Sequence, residues 1–358
     1  MRKLIATVAT SATIASLSTA VTAETTLTFT TYLPQAYSLV TCEDWYLDEV
    51  TKRSGGEVVF ERFYASTLLN ASDTFPGIGR GGADIGMSFP SAYNRAEYPL
   101  SNIVMPYTST NPVAATQAYN ELIHEREEFA QEYEKGNTKI LYSTITIGHS
   151  LWSRDPIRTM EDLSGKRIRA LLAVGDALDK MGATVVAMPF PDAIEALNRG
   201  AIDAFGNVPF DLGFAAGIDK VANYVTDLGI GVYSATATGI NLDVWNGLSP
   251  ETQEIMLEVA EELPTACWKD VVNDEVQKAV ESALETDELE IVTFSLDEAK
   301  ELSDTIGSEL RKEWIDWVTS EGYDGKAILA RFEELMNKYE DQSNFKNSFQ
   351  RYSDAKND

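Results

Sequence analysis

Catalytic side chains are scarce in this chain of 358 residues: it has two histidines and two cysteines. His124 and His149 are too few for a histidine metal site, and no nucleophile elbow or metal-ligand spacing accompanies them. Carboxylates are abundant, but no pair stands out by spacing as an acid–base couple. These absences argue against an enzyme, leaving a secreted α/β hydrolase as the remote alternative. No cofactor or metal is called for. Positive charge is scarce too. Twenty-nine Lys and Arg stand against 56 Asp and Glu, a net charge of −27, and such a surface repels nucleic acid and anionic lipid. Past the N-terminus, no apolar run approaches the roughly 18 residues that a membrane span needs. Internal repeats are absent. Gly77-Ile78-Gly79-Arg80-Gly81-Gly82 fits a dinucleotide-binding spacing, but a strand pattern follows it where that motif needs a helix, so it reads as a helix end and turn.

The N-terminus is informative. Met1-Arg2-Lys3 is basic, Leu4 to Leu17 is apolar with small residues, and Val21-Thr22-Ala23 has the small-x-small form of a cleavage site. Residues 1–23 therefore read as a cleaved signal peptide, and 24–358 as a periplasmic product. Loss of Arg2 and Lys3 would take the charge to −29. In the periplasm Cys42 and Cys267 could pair, closing a loop worth about 4–5 kcal/mol in the chain-entropy model. Spacing alone leaves the pairing open.

Along the chain, strand patterns at Thr26 to Tyr32, Val58 to Tyr64, Ala83 to Phe89 and Lys139 to Thr146 alternate with helical ones, as in a doubly wound α/β sheet. A charged helix is expected over 111–135. After Thr146 the chain should cross to a second lobe, and Tyr233 to Leu242 should carry it back. Ser249-Pro250-Glu251 starts a long helical region, which Pro264 should kink or break. The expected organisation is lobe I from 24–146 and about 235–280, and lobe II from 147–234 and about 281–340. Residues 341–358 should form a loose polar tail. Two lobes joined by two crossings can close around a ligand.

Asp162 to Asn207 is the most informative stretch. Lys166 to Ala170 reads as a strand, then a helix runs to Gly182. A second strand spans Thr184 to Phe190, a helix runs from Pro191 to a left-handed cap at Gly200, and a third strand spans Ala201 to Phe205. Buried parallel strands tolerate charge mainly at their ends, where open α/β sheets bind ligands. Arg169 and Asn207 sit at such ends.

Asp162, Leu163, Gly165, Ile168, Arg169, Gly182, Ala183, Met188, Pro189, Phe190, Ala196, Leu197, Gly200, Asp203 and Asn207 fall in register on a known pattern. The stretch resembles the signature of solute-binding proteins of tripartite ATP-independent periplasmic (TRAP) transporters, in their dicarboxylate-binding (DctP-type) family. Weaker likeness covers Ser54 to Val58, Gly82 to Ile85, Pro156-Ile157 and Gly239 to Trp245. Arg167, Asp192, Ile194 and Ala204 depart from the family's usual residues. The resemblance implies a two-lobed periplasmic-binding fold with mixed sheets flanked by helices, and a long helix linking both lobes. It also implies an organic-acid ligand clamped by the matching arginine, delivery to membrane permease subunits, and uptake driven by ion gradients without an ATPase. The receptor itself is expected to be a monomer outside the membrane.

Arg169 is the leading ligand-binding candidate, because a guanidinium matches a carboxylate with two parallel donors. The competing reading is an internal ion pair with Asp203 or Asp192. Asn207 can donate and accept, but could equally be a turn residue after Gly206. His149 follows Gly148 at a strand end, where relatives often carry an arginine; it is either a ligand contact whose binding strengthens below pH ~6.5, or a hydrogen-bonded hinge residue. Arg154, Arg158, Arg167 and Arg169 together form a local reserve of positive charge. Tyr32, Phe89, Trp152, Phe190, Phe210 and Tyr233 fall near strand ends and are candidate cleft walls, against the common fate of aromatics as core. Trp314 and Trp317, at helical spacing, read as packing. Within the same fold, a sulfonate or zwitterion is the alternative ligand.

Overall fold

The computed structural model describes residues 24–188, 190–286 and 288–357. The proposed signal peptide and Pro189 lie outside them. Eleven described strands form two sheets. The first contains β1 (Thr25–Thr31), β2 (Val58–Phe63), β3 (Ile85–Ser88) and β4 (Thr138–Tyr142); the second begins with β5 (His149–Ser153), β6 (Arg167–Arg169), β7 (Thr184–Val186), β8 (Ala204–Pro209) and β9 (Tyr224–Asp227). β10 (Ala237–Asn241) returns to the first sheet and β11 (Glu290–Thr293) to the second, giving orders β2-β1-β3-β10-β4 and β11-β9-β5-β8-β6-β7. Both sheets are mixed. β10 runs antiparallel to β3 and β4, and β5 antiparallel to β8 and β9, whereas the other pairings are parallel.

Burial explains the strand composition. Every residue of β3, β5 and β10 is buried, as expected of strands covered by helices on both faces. Helices supply that cover, and one spans the molecule. Pro250–Leu263, a π-helical turn at Pro264–Trp268 and Lys269–Glu285 follow without interruption, a rod of about 54 Å at 1.5 Å per residue. Pro264 does not end the rod. It has no N–H to donate and opens the π-helical turn. Cys267 lies in that turn and is bonded to Cys42 of the Ser38–Arg53 helix, with Cα atoms 5.8 Å apart.

Three sequence readings need correction. The helix expected over 111–135 is two, Pro112–Glu125 and Glu127–Glu134, because Arg126 takes an extended conformation (φ −107°, ψ 106°). The C-terminal helix Gly325–Glu340 does not belong with the second sheet alone. It lies on Pro112–Glu125, where Arg331 pairs with Glu125 (2.7 Å) and Lys338 with Glu121 (2.6 Å). The last residues are not all a loose tail, since Ser348–Asn357 is a helix whose Phe349 is buried 5.0 Å from the Phe210 ring. A single apolar anchor carries too little periodicity to announce such a helix.

Candidate ligand cleft

β6 has three residues, so alternation puts Arg167 and Arg169 on the same face. The difference between them is one of position along the strand: Arg167 at its start is exposed, while Arg169 at its end is only 4 % exposed. Arg167 donates from Nε to Asp203 Oδ2 (3.0 Å) and from Nη2 to Asp203 Oδ1 (2.8 Å), and its backbone N–H also reaches Oδ2 (2.8 Å). Asp203 is thereby consumed. Asp192 is exposed at the start of its helix, so neither acid offered as an internal partner pairs with Arg169. Arg158 meanwhile pairs with Glu290 at 2.5 Å on the surface. The arginine reserve is not shared: only Arg169 turns inward.

Two carbonyls orient its guanidinium. Nε donates to Met188 O (3.1 Å) and Nη1 to Gly206 O (3.3 Å), and the group stands 5.1 Å over the Phe205 ring. Among the described residues no carboxylate lies within ion-pair distance of it. Desolvation pulls its pKa below the ordinary arginine value, opposed by the nearby hydroxyls of Tyr233, Tyr93 and Tyr32. A guanidinium has five N–H donors. Two are spent on carbonyls, so among the described residues the others and a full charge are left beside the Phe205 ring and the hydroxyls of Tyr233, Tyr93 and Tyr32.

Asn207 lies within β8, not after it, at a φ of +55° where the β5–β8 pairing is irregular. Asparagine tolerates this left-handed conformation better than most residues. Its Oδ1 accepts the Leu171 N–H at 2.7 Å, which pins the loop leaving β6. Its Nδ2 donors remain for a ligand, and Oδ1, with a second lone pair, can still accept. Leu172, next along that loop, is itself at φ +60°, a cost that position must repay elsewhere.

His149 opens β5 and is 2 % exposed, and among the described residues neither ring nitrogen has a hydrogen-bond partner. Its ring meets Tyr233 edge-on at 5.9 Å, and its Nε2 lies 3.3 Å from where a Cβ on Gly206 would sit. Any larger residue at 206 would press on both His149 and the Arg169 backbone. Burial pushes the ring pKa down to about 3, so the charging expected near pH 6.5 does not occur in this environment.

The aromatic candidates divide. Tyr32 meets Tyr93 edge-on at 5.3 Å, Phe190 packs 5.0 Å from Phe205 beneath Arg169, and Tyr233 touches His149. Phe89, 9 % exposed, caps the first sheet's core beside Tyr32. Trp152 and Phe210 belong elsewhere. Both are fully buried in one cluster with Phe214, and Trp152 spends its indole N–H on Ser150 (2.8 Å). Their strand-end positions are real, but they face the covering helices. Sequence reasoning misses Tyr93, whose signal is Pro90, starting a helix straight after β3; the first turn is where helices accept proline. Beside these groups runs a groove of about 350 Å³ lined by Ser91, Arg95, Leu172, Tyr233, Trp314 and Trp317. The two tryptophans pack as expected, Trp314 in the core and Trp317 against it, and both border this groove. Arg95 crosses the groove to Asp176 (3.3 Å) and lies 5.3 Å over the Trp317 ring.

Residues 40–315 match the family described as bacterial extracellular solute-binding protein, family 7. The chain belongs to that family. Its relatives include the 2,3-diketo-L-gulonate-binding periplasmic protein YiaO of Escherichia coli, 27 % identical over 266 residues, 74 % of this chain and 79 % of the relative. Among solved structures, a TRAP periplasmic solute-binding protein from Desulfovibrio salexigens superposes with a TM-score of 0.80 at 25 % identity, covering 90 % of this chain and 98 % of that one. A TRAP solute-binding protein from Rhodoferax ferrireducens, holding copurified benzoate, gives 0.76 at 22 % identity over 88 % and 99 %. This family 7 protein thus has the two-lobed fold of a transport receptor, and its family is one of binding proteins, not enzymes. No helix among the described residues is long and apolar enough to cross a membrane.

Proposed function

We propose that this protein is the periplasmic receptor of a TRAP transporter for a small monocarboxylate with a flat or apolar body, passed on to a membrane permease. One observation carries the proposal: Arg169 is a buried cation without an anionic partner among the described residues. Isolated buried charge is costly, and an incoming carboxylate removes the cost with a two-point fit. Phe205, Tyr32, Tyr93 and Tyr233 surround that charge and suit an apolar body, as ligand sites combine such walls with few polar groups. A second carboxylate would have to meet a second cation. His149 is neutral there, and Arg95 is engaged by Asp176, so a single acid is favoured. The benzoate of the Rhodoferax ferrireducens protein is consistent with this reading.

Isothermal titration and thermal shift with a panel of mono- and dicarboxylates, each beside its amide, test it. One monocarboxylate should bind, raise the melting temperature because it binds only the native state, and be recovered unchanged. Equal binding of the amide would refute the role of charge, and appearance of a product would refute a receptor.

A further inference from the structure

A second, smaller cavity shares no lining residue with the groove beside Tyr233. It measures about 80 Å³ and sits between residues 36–39, which follow β1, and residues 209–215, which follow β8; Trp268 and Glu275 of the long helix line it as well. One lobe contributes each side. Arg169 is not on its wall.

Asp211 is its most unusual member. The residue is 8 % exposed, and its Oδ1 is buried without a hydrogen-bond partner among the described residues. Burial raises its pKa to about 7, and Glu275 pushes in the same direction. Trp268 on the same wall is fully buried, and among the described residues no acceptor meets its Nε1–H; an ammonium has no acceptor to give it, so the polar fit rests on Asp211. Unsatisfied buried polar atoms are rare in folded proteins and call for an explanation. Asp211 disfavours an acid as the occupant, and so does Glu275, whose Oε1 also pairs with Lys278 (2.9 Å). Calcium or magnesium would need about six oxygen ligands, whereas most of this wall is carbon from residues such as Leu39, Leu212 and Ala215. The rings of Tyr37 and Trp268 add faces that attract an organic cation.

We propose that this cavity binds a small primary ammonium cation, with its N–H donors on the Asp211 carboxylate and a short alkyl stem against Leu39 and Leu212. Arg169 does not line the cavity, although Tyr233 lies within reach of the charges of both Arg169 and Asp211, and the proposal does not depend on the carboxylate reading. An ammonium offers three donors and no acceptor, which suits a carboxylate oxygen that nothing else satisfies. The cavity has room for only a few heavy atoms beyond the nitrogen.

The test is a calorimetric titration of the full mature chain with ethylammonium chloride, against sodium chloride at equal ionic strength, tetramethylammonium and ethanol. Ethylammonium should bind saturably, while tetramethylammonium, which has no N–H, and ethanol, which has no charge, should not. Asp211→Asn should weaken binding about tenfold or more, the usual effect of losing a charged hydrogen-bond partner, and thermal melting would confirm that the variant folds. No saturable heat with ethylammonium, equal binding by sodium, or unchanged binding in Asp211→Asn would each overturn the proposal. The first two use the unaltered protein and stand even if the variant fails to fold.

Discussion

Arg167 and Asp203 form a forked ion pair at 2.8 and 3.0 Å, and this pairing is what leaves Arg169 free. The two arginines are two residues apart on one strand, yet one ends outside and the other inside. The outer one takes the acid. The inner one receives two carbonyls, an aromatic face and no counter-charge among the described residues.

The first prediction follows from that asymmetry. An uncompensated buried cation stabilises nothing by its charge, and replacing it with an apolar side chain of similar volume is often neutral or favourable. Arg169→Met should leave the ligand-free protein within about 1 kcal/mol of wild type in chemical denaturation. It should also abolish the stabilisation brought by the carboxylate ligand. Arg169→Lys keeps the charge but loses the fork, and should cost about 2–5 kcal/mol of binding by calorimetry. Unchanged affinity in Arg169→Lys would sink the clamp.

The outer pair should behave in the opposite way. The Arg167 and Asp203 side chains are 45 % and 28 % exposed, so the Coulombic gain is screened by solvent and small. Asp203→Asn should therefore cost little stability and leave ligand-induced stabilisation intact. If it abolished binding, the division of labour between the two arginines would be wrong.

Much of this arrangement was legible in the residues. Strand–helix alternation announces the two sheets, and the strand-end position of Arg169 rests on a rule about where buried parallel strands tolerate charge. Which arginine keeps Asp203 was not legible, because that depends on how the short β6 is set among its neighbours and on where it starts, and element boundaries are what sequence patterns place worst. Asn207 misled for a similar reason. Nothing in Phe205-Gly206-Asn207 announces that the strand continues through a left-handed residue and lends its amide oxygen to Leu171. Trp152 and Phe210 show the same limit, since a strand-end aromatic can face either layer.

The Cys42–Cys267 bond yields a stability prediction. It links residues 225 apart in sequence, and closing so long a loop is worth about 5 kcal/mol in the chain-entropy model, less whatever the native state gives back. The joint Cys42→Ala, Cys267→Ala variant should melt well below wild type in calorimetry. Both residues sit in the first sheet's core, not on the Arg169 wall, so binding below the melting range should persist. Equal melting temperatures would contradict the bond's role.

Glu43 makes stability depend on pH. It is fully buried, accepts hydrogen bonds from Tyr142 (2.7 Å) and Thr238 (2.9 Å), and burial raises its pKa from 4.5 to about 7. A folded-state pKa above the unfolded one means the native protein holds the proton more tightly between those values. Its contribution is complete below about pH 4.5 and is lost as pH rises through about 7. Glu43→Gln should remove this dependence, gaining up to about 3 kcal/mol relative to wild type between low and high pH. The wild-type-minus-variant difference in denaturation midpoint isolates Glu43 from other groups, and a difference that does not change with pH would refute the assignment.

His149 should be silent where an ordinary histidine titrates. Its depressed pKa means the unfolded chain takes up a proton near pH 6.5 while the folded ring stays neutral down to about 3. Its contribution to stability is thus present above about pH 6.5 and is lost as pH falls from there toward 3. Across that upper range the ring cannot supply the charge that an arginine would at this position. Carboxylate affinity should be flat from about pH 6 to about 8, and the His149 ring resonances of the ligand-free protein should show no inflection near 6.5 in an NMR titration. An inflection there would mean that water reaches the ring, and that His149 acts as a second cation beside Arg169. The monocarboxylate preference would then have to give way to a dicarboxylate.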